Sequence, residues 1–174
     1  LGSREGGDHI DLQLETAQPL KQGDRILLTV SPAKRLATEN IESMEQLTWQ
    51  VADGEVLQLE HVIEANNPGT THRWEVPIED AKLWSCQEPW LYDVHVQLLP
   101  NGSQATVDTH DFRTGIRSIE TQGHQLRLNG SPINVRGLLN WGYSPPSTAP
   151  TLSIDRMLHE IRLLKSMDLN LMKF

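Results

Sequence analysis

Apolar residues in this chain recur at every second position in short runs, and turn-forming residues break each run. Ile10, Leu12 and Leu14 alternate with Asp11, Gln13 and Glu15. Arg25 to Val30 is rich in strand formers and lies between Gly23-Asp24 and Ser31-Pro32. Leu47, Trp49 and Val51 alternate ahead of an Asp53-Gly54 turn, and Val56, Leu57 and Leu59 follow it. Asn66 to Gly69 reads as a loop, after which Trp74, Val76 and Ile78 alternate. Leu91 to Leu99 has the strongest pattern, with Val94, Val96 and Leu98 on one face. Pro100-Asn101-Gly102 then turns it into a run from Gln104 to His110. A period of two sends neighbouring side chains to opposite faces of a strand, so each run has one apolar face to bury. Short strands at this spacing, split by Gly, Pro and Asn, predict an antiparallel sandwich of about seven or eight strands up to residue 117.

The pattern changes after about Phe112. Gln125 to Leu128 and Ile133 to Gly137 flank Asn129-Gly130-Ser131-Pro132, a hairpin signal. Trp141 to Thr151 is a Pro/Ser/Gly loop, and Ser153 stands where a helix N-cap is needed. Ile154, Met157, Leu158, Ile161, Leu164 and Met167 fall on one face at helical spacing. Asp168 ends the helix and Leu169 to Phe174 reads as a strand. Strand, loop, helix, strand is a βαβ unit, and a switch from antiparallel to α/β character marks a domain boundary. Two parallel strands and one helix bury little apolar surface. The helical stripe is therefore expected to dock on the sandwich or on a second copy of the chain.

Composition narrows the function classes. The chain has 174 residues, 37% hydrophobic and 22% charged, which is the make-up of a globular domain plus a fragment. Its net charge of −8 comes from interspersed residues with no basic stripe, so its field repels phosphate backbones and no nucleic-acid partner is expected. No apolar run is long enough to span a bilayer, and no membrane partner is expected. Cys86 is the sole cysteine, which excludes an internal disulfide and a Cys/His zinc pattern. The seven histidines, His9, His61, His72, His95, His110, His124 and His159, are scattered without ligand spacing, so no metal and no cofactor is expected. His95 shares a strand face with Asp93 and reads as a surface pair. Residues 1–8 read as a polar lead-in. Leu1 in place of Met, and Phe174 inside an apolar run, read as cuts in a longer protein.

Two stretches resemble a known family. Leu83-Trp84-Ser85-Cys86-Gln87-Glu88-Pro89-Trp90-Leu91-Tyr92, followed by the strand Asp93 to Leu98, resembles the segment L-W-S-P-E-x-P-x-L-Y of the immunoglobulin-like domain in family 2 glycoside hydrolases. It departs at Cys86, where proline is usual, and is shifted by one around Gln87. Phe112-Arg113-Thr114-Gly115-Ile116-Arg117, then Leu126-Arg127-Leu128-Asn129-Gly130-Ser131-Pro132-Ile133-Asn134-Val135-Arg136-Gly137, is similar to the family's F-G-x-R … L-N-G-x-P-x-x-x-R-G, which joins that domain to the catalytic barrel. The helix and Asn170-Leu171-Met172-Lys173 resemble the first barrel helix and second strand. The likeness runs from about Asp80 to Phe174, and the N-terminal half matches in strand pattern only. Within the first motif, Trp84 and Tyr92 are placed to close one end of the core, with Pro89 ahead of the strand. The resemblance implies a mainly β chain: an immunoglobulin-like antiparallel sandwich over residues 1–117, then over 118–174 the first strand, helix and second strand of a truncated (β/α)₈ TIM barrel.

Such a parent enzyme would be a retaining exo-glycosidase hydrolysing terminal β-linked sugars. Retention needs two carboxyl groups about 5 Å apart, placed at the C-terminal ends of strands in a barrel of about 250 residues. The family carries them on later strands, with the acid/base in an Asn-Glu pair. No such pair occurs here in a barrel-strand context. Asp155, Glu160 and Asp168 lie on or beside the helix and read as a solvated face or end. No catalytic residue is assigned, and the chain alone is expected to be inactive.

Three residues remain as substrate-binding candidates for the parent enzyme. Arg136, expected near the C-terminal end of the first barrel strand, has the donors to hold a sugar hydroxyl or a carboxylate, and serves equally as a structural ion pair. Asn140 and Trp141 follow at the strand–loop junction, where an amide bonds hydroxyls and an indole stacks on a sugar's apolar face; loop packing explains Trp141 as well. The family often has Asn-x-His here, whereas this chain reads Asn140-Trp141-Gly142-Tyr143. The departure points toward mannosidase- and glucosaminidase-like branches. Expected partners are the remaining domains of the parent and a β-glycoside. The alternative reading is a free-standing carbohydrate-binding or adhesive sandwich, against which the helix and following strand argue, since a finished binding module has no use for half a βαβ unit.

Overall fold

A computed structural model describes residues 9–37, 47–64, 69–142 and 153–173. The polar lead-in, most of the loops read at 66–69 and 141–151, and Phe174 lie outside the described residues. Eight strands precede residue 117: β1 (His9–Leu20), β2 (Arg25–Val30), β3 (Lys34–Ala37), β4 (Thr48–Val51), β5 (Leu57–Val62), β6 (Gly69–Pro77), β7 (Tyr92–Leu99) and β8 (Asp108–Thr114). Every pairing among them is antiparallel. One sheet runs β5-β2-β7-β8, and β1-β6 and β3-β4 form two ribbons.

The period-2 pattern explains the layering. Ile26, Leu28 and Val30 of β2 stand opposite Leu98, Val96 and Val94 of β7, so one face of the large sheet is continuously apolar. On the β1-β6 ribbon, Ile10 faces Val76 and Leu12 faces Trp74. These two faces pack together into a single buried cluster that also takes in Leu20, Ile63, Tyr92 and Ile116. At one margin the His61 and Trp74 rings stack 5.0 Å apart, joining β5 to β6. The run expected from Gln104 to His110 is displaced, because β8 begins only at Asp108. Ser103 is the cause: its N–H closes the turn onto the Pro100 carbonyl at 3.0 Å, and its Oγ accepts the Ala105 N–H at 3.0 Å, so the chain stays in local bonds before it rejoins the ladder.

The Leu83–Tyr92 stretch forms a corner. Ser85 N–H donates to the Glu88 carbonyl and Glu88 N–H to Ser85 Oγ, both at 2.9 Å, and Pro89 ends the loop ahead of β7. Tyr92 is buried and its phenol accepts the Lys82 N–H at 2.7 Å. Burial raises the phenol pKa, and that bond opposes the rise. Tyr92 joins the core as expected, but Trp84 does not. Its ring lies under the Arg117 guanidinium, 4.7 Å away, and against Gly115. A Cβ at Gly115 would come within 3.0 Å of the Trp84 Cβ, so glycine is what lets the chain pass there.

Asp93 fastens the β3-β4 ribbon to the large sheet. Its carboxylate accepts hydrogen bonds from Lys34 on β3 and, at 2.6 Å, from Arg113 Nε on β8. Both cations also lie over the Trp49 ring of β4, at 4.8 and 4.5 Å. With Asp93 so engaged, His95 pairs across the sheet with Asp111 at 2.5 Å, not with Asp93 as the strand spacing suggested.

Beyond β8 the chain forms an antiparallel meander of β9 (Ile119–Gln122), β10 (Gln125–Leu128) and β11 (Ser131–Pro132). Asn129 and Gly130 have φ of 50° and 73°, the left-handed pair that a two-residue hairpin turn needs. Asn129 also pins the meander to the sandwich: its Oδ1 accepts the Ser118 N–H and its Nδ2 donates to the Trp84 carbonyl, each at 3.0 Å. Then come β12 (Gly137–Leu139), α1 (Ile154–Ser166) and β13 (Leu171–Lys173), with β12 and β13 parallel. The strand expected at Ile133 to Gly137 therefore starts only at Gly137. Ile133 N–H is still bonded to Leu126 of the hairpin at 2.9 Å, which holds the chain out of the parallel ladder.

Ser153 caps α1 as expected, its Oγ accepting the Arg156 N–H at 3.3 Å. At the other end Leu169 N–H reaches Leu164 O and Asp168 N–H reaches Lys165 O, both at 3.0 Å, with Asp168 left-handed at φ 59°. This is a Schellman closure with aspartate where glycine is usual. The apolar stripe is covered only in part. Leu164 is buried, whereas Ile154, Met157, Ile161 and Met167 are exposed, because a two-stranded sheet is too narrow to cover the helix. Ile161 and Leu164 line one cleft together with Trp84 and Pro89 of the sandwich corner.

Two measurements test this packing. Ile26 is fully buried, and Ile26→Ala is expected to cost about 2–5 kcal/mol in urea unfolding. Val62→Ala, on the exposed side of β5, should stay within about 0.5 kcal/mol. For Asp93, burial raises the carboxyl pKa, but the hydrogen bonds and charges of Arg113 and Lys34 outweigh it and hold the group below its ordinary value. A depressed folded-state pKa contributes stability that is present above the unfolded value of about 3.9 and lost as pH falls through the folded value. Asp93→Asn should therefore be less stable than the parent at pH 7 and show a flatter loss of stability below about pH 4, read from urea midpoints across pH.

Candidate functional site

The short strand β12 has two differently built ends. At its N-terminal end stands Arg136. Sequence spacing placed this residue near the C-terminal end of the strand, and the late start of β12 reverses that position. The Arg136 guanidinium forms an ion pair with the Asp168 carboxylate and donates through Nε to the Asp168 carbonyl at 2.8 Å. A cation on the last carbonyls of a helix also complements the helix dipole. Asn170 completes the knot. Its Oδ1 accepts the Arg136 N–H and its Nδ2 donates to the Asn134 carbonyl, both at 2.9 Å. The Asn170 and Leu171 N–H groups then both reach the Arg136 carbonyl, at 2.9 and 3.2 Å. In barrels the N-terminal face of the strands serves stability and the C-terminal face serves chemistry.

Asn140 and Trp141 stand at the C-terminal end of β12. Asn140 N–H extends the ladder to the Lys173 carbonyl at 2.8 Å. Its side chain donates to Glu160 at 2.8 Å and accepts the Gly142 N–H at 2.8 Å, so both ends of the amide are committed to holding the loop. The other Glu160 oxygen takes Arg156 Nε at 3.0 Å. Glu160, which the sequence assigned to a solvated face, is thus half-buried and oriented by two donors. Trp141 projects past this support with 72% of its surface exposed. Below it lies a mostly apolar cleft of about 430 Å³ lined by Leu138, Leu139, Leu163, Met167 and Met172. The arrangement displays one indole from a braced loop, and among the described residues that line its cleft the one carboxyl, Glu160, is held by two donors.

Asn140 and Trp141 thus come together, while Arg136 lies at the opposite end of the strand. Sequence reading missed Asn170 and Asp168 as the partners of Arg136, and Glu160 as the partner of Asn140. Their signal, a polar residue at each end of a helix and strand, is too common to single out. Among the described residues, no helix is long and apolar enough to cross a membrane.

The family model for the glycosyl hydrolases of family 2 matches residues 11–117. The chain belongs to this family. A β-galactosidase of Psychromonas ingrahamii is 34% identical over 104 residues, covering 60% of this chain and 10% of the relative. A β-galactosidase of Pseudoalteromonas haloplanktis is 28% identical over 140 residues, covering 75% of this chain and 13% of the relative. Among solved structures, the β-glucuronidase of Bifidobacterium dentium superposes with a TM-score of 0.60 at 20% identity, over 86% of this chain and 21% of that one. A β-glucuronidase of Bacteroides uniformis does so at 0.55 and 18%, over 98% and 19%. At these identities the structures show a shared fold. The family 2 chain described here thus spans about a tenth of the length of these curated relatives.

The knot at the N-terminal end of β12 can be tested apart from the sandwich. Asn170→Ala removes the two side-chain bonds that join β13 to residues 134–136. Amide exchange of Leu171–Lys173 is expected to quicken by about tenfold, since a hydrogen bond contributes on the order of 1 kcal/mol. Exchange of the β2 and β7 amides should stay unchanged.

Proposed function

We propose that this chain is the non-catalytic sandwich domain and barrel start of a retaining exo-glycosidase that hydrolyses terminal β-linked sugars. In this reading residues 1–117 form an immunoglobulin-like domain and residues 118–174 open the (β/α)₈ barrel. The observation that carries it is a family 2 sandwich followed, after the β9-β10-β11 meander, by a parallel β12-α1-β13 unit. In this reading Arg136, Asp168 and Asn170 brace the stability face of the barrel, and Asn140 holds the Trp141 loop toward the face where chemistry occurs, which the hydrogen bonds at the two ends of β12 support. Trp141 supplies an apolar wall for a sugar ring in the parent enzyme, and Asn140 acts by orienting the Trp141 loop. Arg136, at the far end of the strand, serves as a brace and not as a sugar ligand. The exposed stripe of Ile154, Met157, Ile161 and Met167 is the surface that the rest of the barrel covers. In the isolated chain the same stripe is a surface for self-association.

The sugar is a terminal β-glycoside. The curated relatives described above are β-galactosidases, which supports that class, and neither comes from the mannosidase- or glucosaminidase-like branches toward which Asn140-Trp141-Gly142-Tyr143 leans. The retaining reaction needs an acid/base and a nucleophile about 5 Å apart, which later barrel strands supply.

The test compares this chain with the longer polypeptide from the same gene on aryl β-galactosides, β-glucuronides, β-mannosides and β-glucosaminides. The chain alone should give no turnover above the blank. The longer protein should hydrolyse one of them with retention of anomeric configuration, and Trp141→Ala should lower its kcat/KM by about tenfold, or roughly 1.4 kcal/mol of transition-state stabilisation. Turnover by the chain alone that a single substitution within it abolishes would overturn the proposal.

A further inference from the structure

We propose that His9, Asp11 and Glu75 form a divalent-cation site on the outer face of the β1-β6 ribbon. His9 and Asp11 alternate with Ile10 and Leu12, which are buried in the core, so both point to the opposite face. The register then sets Glu75 directly across from Asp11. Donor atoms of all three lie within 4.8 Å of one another, and His9 Nε2 is 3.6 Å from Asp11 Oδ1. Two donors bound at zinc distances on a tetrahedral ion lie about 3.4 Å apart. The His9–Asp11 pair already has that spacing, and the exposed Glu75 side chain is free to close the remainder.

Two further features favour a cation at this position. His9 Nε2 is screened from solvent and, among the described residues, has no hydrogen-bond partner, an uncommon state for a ring nitrogen. Asp11 and Glu75 are like charges set directly opposite on paired strands, an arrangement that destabilises a sheet unless a positive charge lies between them. One imidazole nitrogen with two carboxylates suits an ion of intermediate hardness such as Zn²⁺ or Mn²⁺. Water can fill the remaining positions, because His9 and Asp11 border an open cleft of about 550 Å³. Arg113 and Arg117 also line that cleft and limit the affinity for a cation, and Arg73, two residues from Glu75 on β6, is the competing positive charge.

The experiment is calorimetric titration of the chain with Zn²⁺ and, separately, Mn²⁺ in a non-chelating buffer. The expected result is one equivalent bound, a melting temperature that rises with the ion, and a nitrogen coupling in the pulsed electron paramagnetic resonance of the Mn²⁺ form. His9→Gln and Asp11→Asn should each weaken binding at least about tenfold. Glu75→Gln, at an exposed position where folding is not at risk, should weaken it as well. His95→Gln, which removes the other histidine–carboxylate pair, should leave it unchanged. Circular dichroism of the metal-free variants checks that they fold. Absence of stoichiometric binding, as when Arg73 alone neutralises Glu75, overturns the proposal. Binding that survives both His9→Gln and Glu75→Gln also overturns it.

Discussion

Burial of one apolar face of β2 and β7 against the β1-β6 ribbon is the constraint on which everything else in this chain rests. Ile26, Leu28, Val30, Val94 and Val96 are almost fully removed from water, and burying each such side chain contributes about 1.5–3 kcal/mol. No other part of the described chain holds a comparable cluster. Because the side-chain period is two, this one register fixes every other face. It sends Asp93 and His95 outward, where Lys34, Arg113 and Asp111 meet them. It also sends His9 and Asp11 outward from β1. One edge strand of the sheet, β8, carries Asp108, His110, Asp111 and Arg113, polar and charged residues that discourage pairing with another sheet.

The joints between units are made chiefly by asparagine side chains. Asn129 ties the meander to the sandwich, Asn170 ties β13 to residues 134–136, and Asn140 ties β12 to α1 and to its own loop. At each joint a ladder stops and leaves backbone N–H and C=O groups without strand partners. A primary amide is suited to such places because it donates and accepts from one planar group. Arg136 does related work at the end of α1, where its guanidinium serves both the charge and the carbonyl of Asp168. These bonds let a narrow βαβ unit hold its geometry while most of its helix stripe is uncovered.

That division of labour bears on function. The sandwich supplies rigidity and a family signature, and the βαβ unit leaves most of its helix stripe uncovered. The N-terminal end of β12 is heavily bonded, whereas Trp141 at the other end is exposed; under the proposed function this is the polarity of a barrel strand.

Much of the fold was legible in the sequence. Alternation of apolar residues marked β1, β2, β6 and β7, helical spacing with Ser153 marked α1, and Asn129-Gly130 marked its hairpin, because each of these signals is local and set by backbone geometry. The motif around Leu83 to Tyr92 named the family, and the family match over residues 11–117 agrees. Less legible were the ends of β8 and β12. Local bonds at Ser103 and Ile133 compete there with the ladder, and period alone does not weigh one against the other. Of the residues singled out for binding, Asn140 and Trp141 adjoin, and Arg136 moved to the opposite end of its strand when the start of β12 shifted. The partners of these residues were not readable at all. Glu160 reaches Asn140, Asp168 reaches Arg136 and Glu75 reaches Asp11 across 20, 32 and 64 positions of chain, respectively. The sequence by itself determined which face of each strand is buried, since that follows from a two-residue period. Only the tertiary structure decided which polar groups meet on the faces left over, since strand register and helix packing choose those neighbours.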